Sequence, residues 1–555
     1  MTDDKELVFA PLGGLGEIGL NCALYGYGPA SARQWLMVDL GIGFADEDMP
    51  GVDLVMPDLE FIAKAKKNLV GIVITHAHED HIGALVELWP DLEAPVYMTR
   101  FAAGLVEARR LGEPGAPAIP LKVVGFGERV TIGPFEVEFV PVAHSIPESS
   151  ALAIRTPAGV VVHTADWKID PTPIIGLPTD EIRFKSLGDE GVLALVCDST
   201  NILREGESPS ERDVAKTLAW LIGSAKGRVV VTTFASNVAR LRSAAEAGLA
   251  AGREVCILGR AIERVVAVAR ECGMLDGLPP FLGMDAFDRL PRDRILALAT
   301  GSQGEPRAAL ARIAGDDHPT AELSAGDTVI FSSRTIPGNE KGVGKIVNAF
   351  VRAGIQVVTD RTALVHVSGH PRRAEVAKMY AWVRPRIAVP AHGEPLHLTE
   401  HVDFAKAQGV PQVLRAFNGD LIRFAPGEVG ALGKVTTGRR AKDGAILLPA
   451  GQESVRQRRR LSFAGVVSIA IALTPKGEMA GDPDVMIAGL PERTREGAAI
   501  DALIDDSIFE AFESLPPGKR RDADVVSSAI ERAVRGSVNA VWGKKPQVHV
   551  LVVEV

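Results

Sequence analysis

Between Thr75 and Gly83 the chain reads THAHEDHIG, which sets His76, His78, Asp80 and His81 within six positions directly after the apolar run VGIVIT. Histidine and aspartate are poor core residues and need partners when buried. Imidazole and carboxylate are, however, the nitrogen and oxygen ligands that zinc takes, and two neighbouring ions need more ligands than one loop offers. The chain supplies more at similar places: His144 in VAHSIPES, Asp166 in HTADWK and His392 in VPAHGE. Seven of the twelve histidines (His76, His78, His81, His144, His366, His370 and His392) fall in such motifs, which is hard to explain as surface scatter. A pair of divalent ions lowers the pKa of a water and clamps the attacking and leaving oxygens of an in-line displacement. Hydrolysis is the chemistry these residues fit.

The elements that must position these groups are strands. Over the first 205 residues short apolar runs (QWLMVDL, NLVGIVITH, FEVEFVPVAH, GVVVHTAD, LALVCDS) alternate with Gly/Pro turns, and each ends in a group able to do chemistry: Asp39, His76, His144, Asp166, Asp198. Delivering ligands at strand ends is how an α/β scaffold builds a site. From about Ser208 the pattern changes. SPSERDVAKTLAWLIGSA predicts a helix with Ser210 as N-cap and Asp213 in its first turn. The strands RVVVTTF, EVCIL, RILALAT, DTVIFSS and QVVTD then alternate with helical stretches, predicting a doubly wound parallel α/β region to about residue 370. Residues 371–435 predict helix, strand RIAVPAH and helix again. The basic stretch 453–461 reads as a linker. Beyond it come strand GVVSIAIAL, helices over about 491–513 and 521–535, and a last strand HVLVVEV.

Gly14, Gly16 and Gly19 spell GxGxxG after a strand, with Asp39 where a ribose-binding acid would stand. The context argues against a dinucleotide site, because LNCALYGYG reads as a short strand rather than a helix. A tight glycine-rich turn between two strands is the better reading.

Composition bounds the rest. At 555 residues, 46% hydrophobic and 24% charged, the chain is an ordinary globular sequence of several domains. No apolar run approaches a membrane span, and MTDDKELVFA has no signal-peptide character. Cys22, Cys197, Cys256 and Cys272 form no CxxC pair and read as thiols of a reducing, cytoplasmic setting. A net charge of −9 argues against coating nucleic acid by bulk electrostatics but leaves room for a local basic groove. The clusters Arg372-Arg373, Arg439-Arg440 and Arg456, Arg458, Arg459, Arg460 read first as solvated surface.

HxHxDH with downstream His, Asp and His resembles the metallo-β-lactamase superfamily, and an α/β insertion before the last histidine resembles its β-CASP nucleases. The segments LGGLGEIGLN, DEDMPGVDLVMPD, CDSTN, FASN, HVSGHP and PAHGE together resemble the bacterial ribonuclease J family over about residues 7–435, and the last hundred residues fit its extra domain by length and pattern. The resemblance implies an αββα metallo-β-lactamase sandwich (1–207 and 371–450), an inserted β-CASP α/β domain (208–370), a linker (451–460) and a small α+β domain (461–555) serving oligomerisation. It implies two zinc ions per chain, replaceable by manganese. His76, His78 and His144 would hold one, Asp80, His81 and His392 the other, and Asp166 would bridge them. Asp39 would orient the HxHxDH loop. Asp80 and Asp198 join His370 as catalytic candidates, with His370 stabilising or protonating the departing oxygen. A histidine at the last motif, here His392, goes with relatives that act on RNA.

Phe234, Ala235 and Ser236 in TTFASN, with His366, Val367, Ser368, Gly369 and His370 in LVHVSGH, lie where hydroxyls, an imidazole and free N–H groups can make an anion site. The family places a 5′-phosphate pocket there. Asp46, Asp48 and Asp443 are candidates for a remote calcium or manganese site. The implied function is a 5′-to-3′ exoribonuclease with some endonuclease activity, preferring 5′-monophosphorylated single-stranded RNA in mRNA decay and rRNA maturation. It would act as a homodimer or homotetramer, with RNA-decay or ribosome-maturation partners and no membrane. The alternatives are a thioester hydrolase of the glyoxalase II kind and a non-catalytic RNA-binding subunit. The insertion and HVSGH argue against the first, and the full ligand set argues against the second.

Overall fold

The computed structural model describes residues 5–45 and 48–555. Its described residues form two compact units, one within 5–43 and 56–438 and the other within 44–55 and 439–555.

Two sheets face one another in the larger unit. The first has eight strands in the order Gly430–Lys434, Asp420–Ala425, Glu6–Gly13, Cys22–Gly28, Gln34–Val38, Leu69–Val73, Val96–Met98, Leu121–Val123. The second has seven, in the order Gln412–Val413, Ile387–Ala391, Val192–Asp198, Gly159–His163, Ser150–Thr156, Phe135–Pro141, Arg129–Ile132. Alternate residues of both, among them Phe9, Tyr25, Phe135, Phe139 and Phe424, fill the layer between them. The outer face of the second sheet is covered by helices Glu181–Glu190, Arg373–Val383 and Pro395–Ala407 through Phe184, Leu187, Met379, Trp382 and Ala405. This is the expected αββα sandwich.

Within it is inserted a five-stranded, all-parallel sheet, ordered Glu254–Leu258, Ile295–Ala299, Val229–Thr232, Thr328–Phe331, Gln356–Val358. Its three inner strands are buried along their whole length, as in a parallel sheet covered by helices. The first inserted helix runs Glu211–Ser224 with the Ser210 hydroxyl accepting from the Arg212 N–H, as its sequence predicts. After the insertion the chain returns as Ile387–Ala391, pairing in parallel with Val192–Asp198. That pairing brings the last ligand motif back beside Asp198.

The glycine-rich turn joins two antiparallel strands, Glu6–Gly13 and Cys22–Gly28, as expected, and no helix follows it. Gly14 has φ +84°, and a Cβ there would lie 2.4 Å from the Asn21 Oδ1. The turn is closed by the Gly16 N–H donating to the Gly393 carbonyl at 2.9 Å, which ties it to the His392 loop.

In the smaller unit a sheet of Asp484–Ala488, Val466–Leu473 and Gln547–Glu554 packs on helices Ile500–Glu513 and Ala523–Trp542. Two expectations shift here. The stretch read as a linker is helix Glu453–Ala464, whose arginines are good helix formers and place Arg460 3.3 Å from Glu453. The helix expected from 491 begins at Ile500, because Gly497 takes φ +88° and Arg493 bridges Ala499 in a turn. Among the described residues no helix is long and apolar enough to cross a membrane.

Candidate metal centre

The strand ends gather the predicted ligands at one edge of the sandwich. His76, His78, His144 and Asp166 offer ligand atoms all within 4.8 Å of one another, and so do Asp80, His81, Asp166 and His392. Asp166, 2% exposed, belongs to both groups. A third overlapping group joins Asp166 and His392 to Asp198 and His370.

The first group is a set of lone pairs facing inward. His144 Nε2 lies 3.0 Å and His76 Nε2 3.2 Å from His78 Nδ1. His144 donates its Nδ1–H to the Gly369 carbonyl at 2.7 Å, which leaves Nε2 without a proton. Burial first, then the neighbouring imidazoles, hold His76 and His144 well below the ordinary histidine range, and burial takes His78 down to about 4. Three neutral imidazoles directing nitrogens at one point want a cation there.

The second group carries the compensating negative charge. Burial alone would pull His392 down, but the Asp166 carboxylate, 2.6 Å from its Nδ1, raises it to about 10. His81 is likewise lowered by burial but lifted well above its usual value by Asp166, Asp80 and Asp39. Protons on these rings occupy the charge role that a metal would fill. The buried His392 Nε2 meets no well-aligned hydrogen-bond partner and has the Asp80 carboxylate near it, at 3.4 Å. A nitrogen so placed, on a ring between two carboxylates, fits a divalent ion better than any packing role.

Backbone strain and outer hydrogen bonds fix the set. Leu20, Asp39, Ala165 and His392 all have positive φ, between 48° and 62°, as residues held at functional sites often do. Asp39 accepts the His81 Nδ1–H at 2.7 Å, the Thr75 N–H at 2.8 Å and the Thr75 hydroxyl at 2.9 Å. It thereby sets both the ring orientation and the start of the HxHxDH loop. Replacing Asp39 with asparagine should lower metal affinity about 10- to 100-fold, measured by competition with a chelator, while the melting curve stays cooperative.

His370 stands at the rim with its Nδ1 2.8 Å from Asp198. Burial opposes its protonation, but Asp198 and then Asp166 raise its pKa above the ordinary value. The Asp198 Oδ1 is held in turn by the Thr200 N–H at 2.8 Å. Such a pair can hold a proton for a leaving group.

Residues 366–370 run from this rim into the inserted domain. His366 is pushed well below its usual range by burial and then by Arg240, Arg334, Lys168 and Arg204, so it is neutral, and its buried Nδ1 has no partner. Val367 is buried, whereas Ser368 is half-buried. Phe234, Ala235 and Ser236 are half-buried in the loop after strand Val229–Thr232. The cap of helix Val238–Ala250 is Asn237, whose side chain accepts from the Arg240 N–H, and not Ser236.

Several positioning groups lie outside the expected set. Asn201 Nδ2 donates to the Ser368 hydroxyl at 2.8 Å and to the His370 carbonyl at 3.1 Å. Asn21 Nδ2 lies 2.9 Å from His81 Nε2 and 3.3 Å from Asp80. Buried Arg240 pairs with Glu211 at 2.8 Å and donates to the Val365 carbonyl, also at 2.8 Å, next to His366. Asn201 and Asn21 end the motifs CDSTN and LGGLGEIGLN, which was the available signal; Arg240 had none. Among the described residues no remote cation site is assembled. Asp443 pairs with Arg458 and Asp48 with Arg459, while Asp46 lies outside the described residues. Guanidinium groups take those carboxylates instead.

Four family models match the chain: the metallo-β-lactamase superfamily over residues 18–179, the ribonuclease J β-CASP domain over 226–350, the Zn-dependent metallo-hydrolase RNA specificity domain over 354–413, and the ribonuclease J C-terminal domain over 453–555. Ribonuclease J of Sinorhizobium meliloti is 53% identical over 555 residues, covering 100% of this chain and 98% of that protein. Ribonuclease J of Mycolicibacterium smegmatis is 37% identical, covering 98% and 96%. That of Synechocystis sp. is 34% identical, covering 97% and 84%. A solved structure of a protein of unknown function from Enterococcus faecalis V583 shares the fold, with TM-score 0.53 at 16% identity over 75% of this chain and 100% of that one.

Proposed function

The chain belongs to the ribonuclease J family, and on that premise we propose that this divalent-metal ribonuclease removes nucleotides from the 5′ end of RNA while reading a terminal monophosphate. The observation that supports this reading best is the single loop His366–His370. At one end it presents an unpartnered neutral imidazole among cations, and at the other it places His370 against Asp198 and the Gly369 carbonyl against His144. An end-binding cup and the hydrolytic centre are thus one short stretch of chain apart.

We assign His76, His78 and His144 to one zinc ion, Asp80, His81 and His392 to a second, and Asp166 to both; manganese, which suits carboxylate oxygens, is the substitute. When bound, the ions lower the pKa of a water and neutralise charge on the scissile phosphate. Asp80, whose side chain is 30% exposed, faces the open side and aligns the attacking water. A water that has given up one proton to solvent adds its oxygen to phosphorus, the P–O3′ bond breaks, and His370 delivers a proton to the departing O3′ and is then reprotonated from solvent. The released product is a nucleoside 5′-monophosphate, and the shortened RNA again begins with a 5′-phosphate.

Ser236, His366, Ser368 and the Gly369 N–H would form the cup, with Phe234, Ala235 and Val367 shaping its walls. A 5′-hydroxyl leaves its donors unpaired, so wild-type rates on 5′-monophosphate RNA should exceed those on 5′-hydroxyl RNA by roughly 5- to 150-fold. Initial rates on the two ends test this, and equal rates would remove the exonuclease half of the reading. Internal cleavage, roles in mRNA decay and rRNA maturation, and a cytoplasmic site of action follow from the same assignment. Self-association as a homodimer or homotetramer is assigned to the smaller unit, whose sheet leaves Met486, Leu551 and Val553 exposed opposite its helices.

A further inference from the structure

Four cations act on His366, and the fold neutralises only some of them. Arg240 is fully buried against Glu211, and Lys168 is 3.0 Å from Asp170 with both side chains out of water. These two are structural ion pairs. Arg334 keeps Asp360 only at 3.7 Å, with its side chain 41% exposed. Among the described residues no carboxylate lies within ion-pairing distance of Arg204 or Arg372. The acids nearest to Arg204 in sequence are turned elsewhere, Glu205 to Arg373 at 3.4 Å and Glu207 to Lys378 at 2.7 Å.

Backbone contacts set Arg204 beside Arg372, and the segment that carries Arg334 beside His366. The Arg373 N–H donates to the Arg204 carbonyl at 3.0 Å, which sets Arg204 beside the 372–373 pair. The Ser332 hydroxyl donates to the Val365 carbonyl at 2.6 Å, which sets the Ser332–Arg334 segment beside His366. The Arg372 Nε is buried without a partner, as is the His366 Nδ1. Arg334 and then Arg372 push the Arg204 guanidinium below its ordinary value after burial has done so, the signature of like charges held together. Unpaired cations crowded in this way cost stability unless an anion joins them.

The geometry points to a second anion subsite formed by Arg204, Arg334 and Arg372 beside the His366 cup, which takes the β- and γ-phosphates of a 5′-triphosphorylated RNA end. This rests on the reading of residues 366–369 as the site of the terminal phosphate. A single phosphate reaches the cup and leaves the arginines repelling one another. A triphosphate adds the acceptor oxygens and negative charge that three guanidinium forks match. Primary transcripts are therefore ligands of this protein, and their ends are held by residues separate from the metal centre.

The test uses the full-length metal-loaded chain and one RNA sequence bearing 5′-triphosphate, 5′-monophosphate or 5′-hydroxyl, made cleavage-resistant by phosphorothioate, 2′-O-methyl linkages at its first positions. Affinities are read by fluorescence anisotropy at fixed salt. In the double variant Arg204→Gln with Arg372→Gln, the ratio of triphosphate to monophosphate affinity should fall about tenfold or more, and Arg204→Lys should keep most of it. An unchanged ratio, including an equal loss on all three ends, overturns the subsite and makes these arginines a general track for the RNA backbone. Failure of the underlying cup shows differently: wild type would then bind monophosphate and hydroxyl ends alike, whatever the arginine variants do.

Discussion

Asp166→Ala should lower RNA hydrolysis by at least about 10³-fold, because among the described residues no other belongs to both candidate ligand groups, and a water's pKa falls from 15.7 to roughly 7 only on a bound metal. Its carboxylate lies 2.6 Å from His392, 3.3 Å from His81, 3.6 Å from His144 and 3.7 Å from His76. Removing it leaves two sets of imidazoles with no shared anion, so metal content should fall with activity. Asp166→Asn keeps the side-chain volume and should behave similarly, which separates lost charge from a collapsed cavity. Elemental analysis and initial rates on the same samples decide the matter. Full metal content together with rates within tenfold of wild type would show that Asp166 does not bridge the centre.

The second large effect belongs to His370. His370→Ala should lower kcat about 10²- to 10⁴-fold, the range of a positioned general acid, while metal content stays at the wild-type level. A leaving group that needs no proton discriminates its role. Hydrolysis of a p-nitrophenyl phosphodiester, whose phenolate departs unaided, should be far less sensitive to the substitution than hydrolysis of RNA. Asp198→Asn should follow His370→Ala in direction, since it replaces the carboxylate 2.8 Å from the ring, whose charge raises the His370 pKa, with a neutral amide. Equal losses on both substrates would make His370 a binding group rather than a proton donor.

How much of this was legible in the sequence depends on what kind of group does the work. The gathering of polar side chains at strand ends was, because His76, His81, His144 and Asp166 have no place in an apolar run unless something pairs with them. The parallel inserted sheet was also legible, from apolar strands alternating with amphipathic helices. Groups that act through the backbone were not. The Gly369 carbonyl fixes the His144 tautomer, and a Cβ on Gly369 would lie 2.5 Å from the His144 Nδ1, yet the motif offers only a glycine among hydroxyls and imidazoles. Arg240 was invisible for another reason: on a helix of alternating apolar residues an arginine reads as solvent-facing, and only the fold brings Glu211 to it. The 453–461 stretch misled in the opposite sense. Its four arginines suggest an unstructured charged run, but Arg458 and Arg459 meet Asp443 and Asp48, which also accounts for acids that looked like a cation site.

One measurement tests most directly whether the proposed phosphate cup and the metal centre act together on an RNA end. RNA labelled at its 5′-monophosphate is incubated with the full-length protein, and early products are resolved to single nucleotides. A labelled nucleoside 5′-monophosphate should be the first and dominant product, and His366→Ala should slow its appearance more than it slows internal cleavage. Labelled internal fragments appearing first, with no mononucleotide released from the end, would contradict the account.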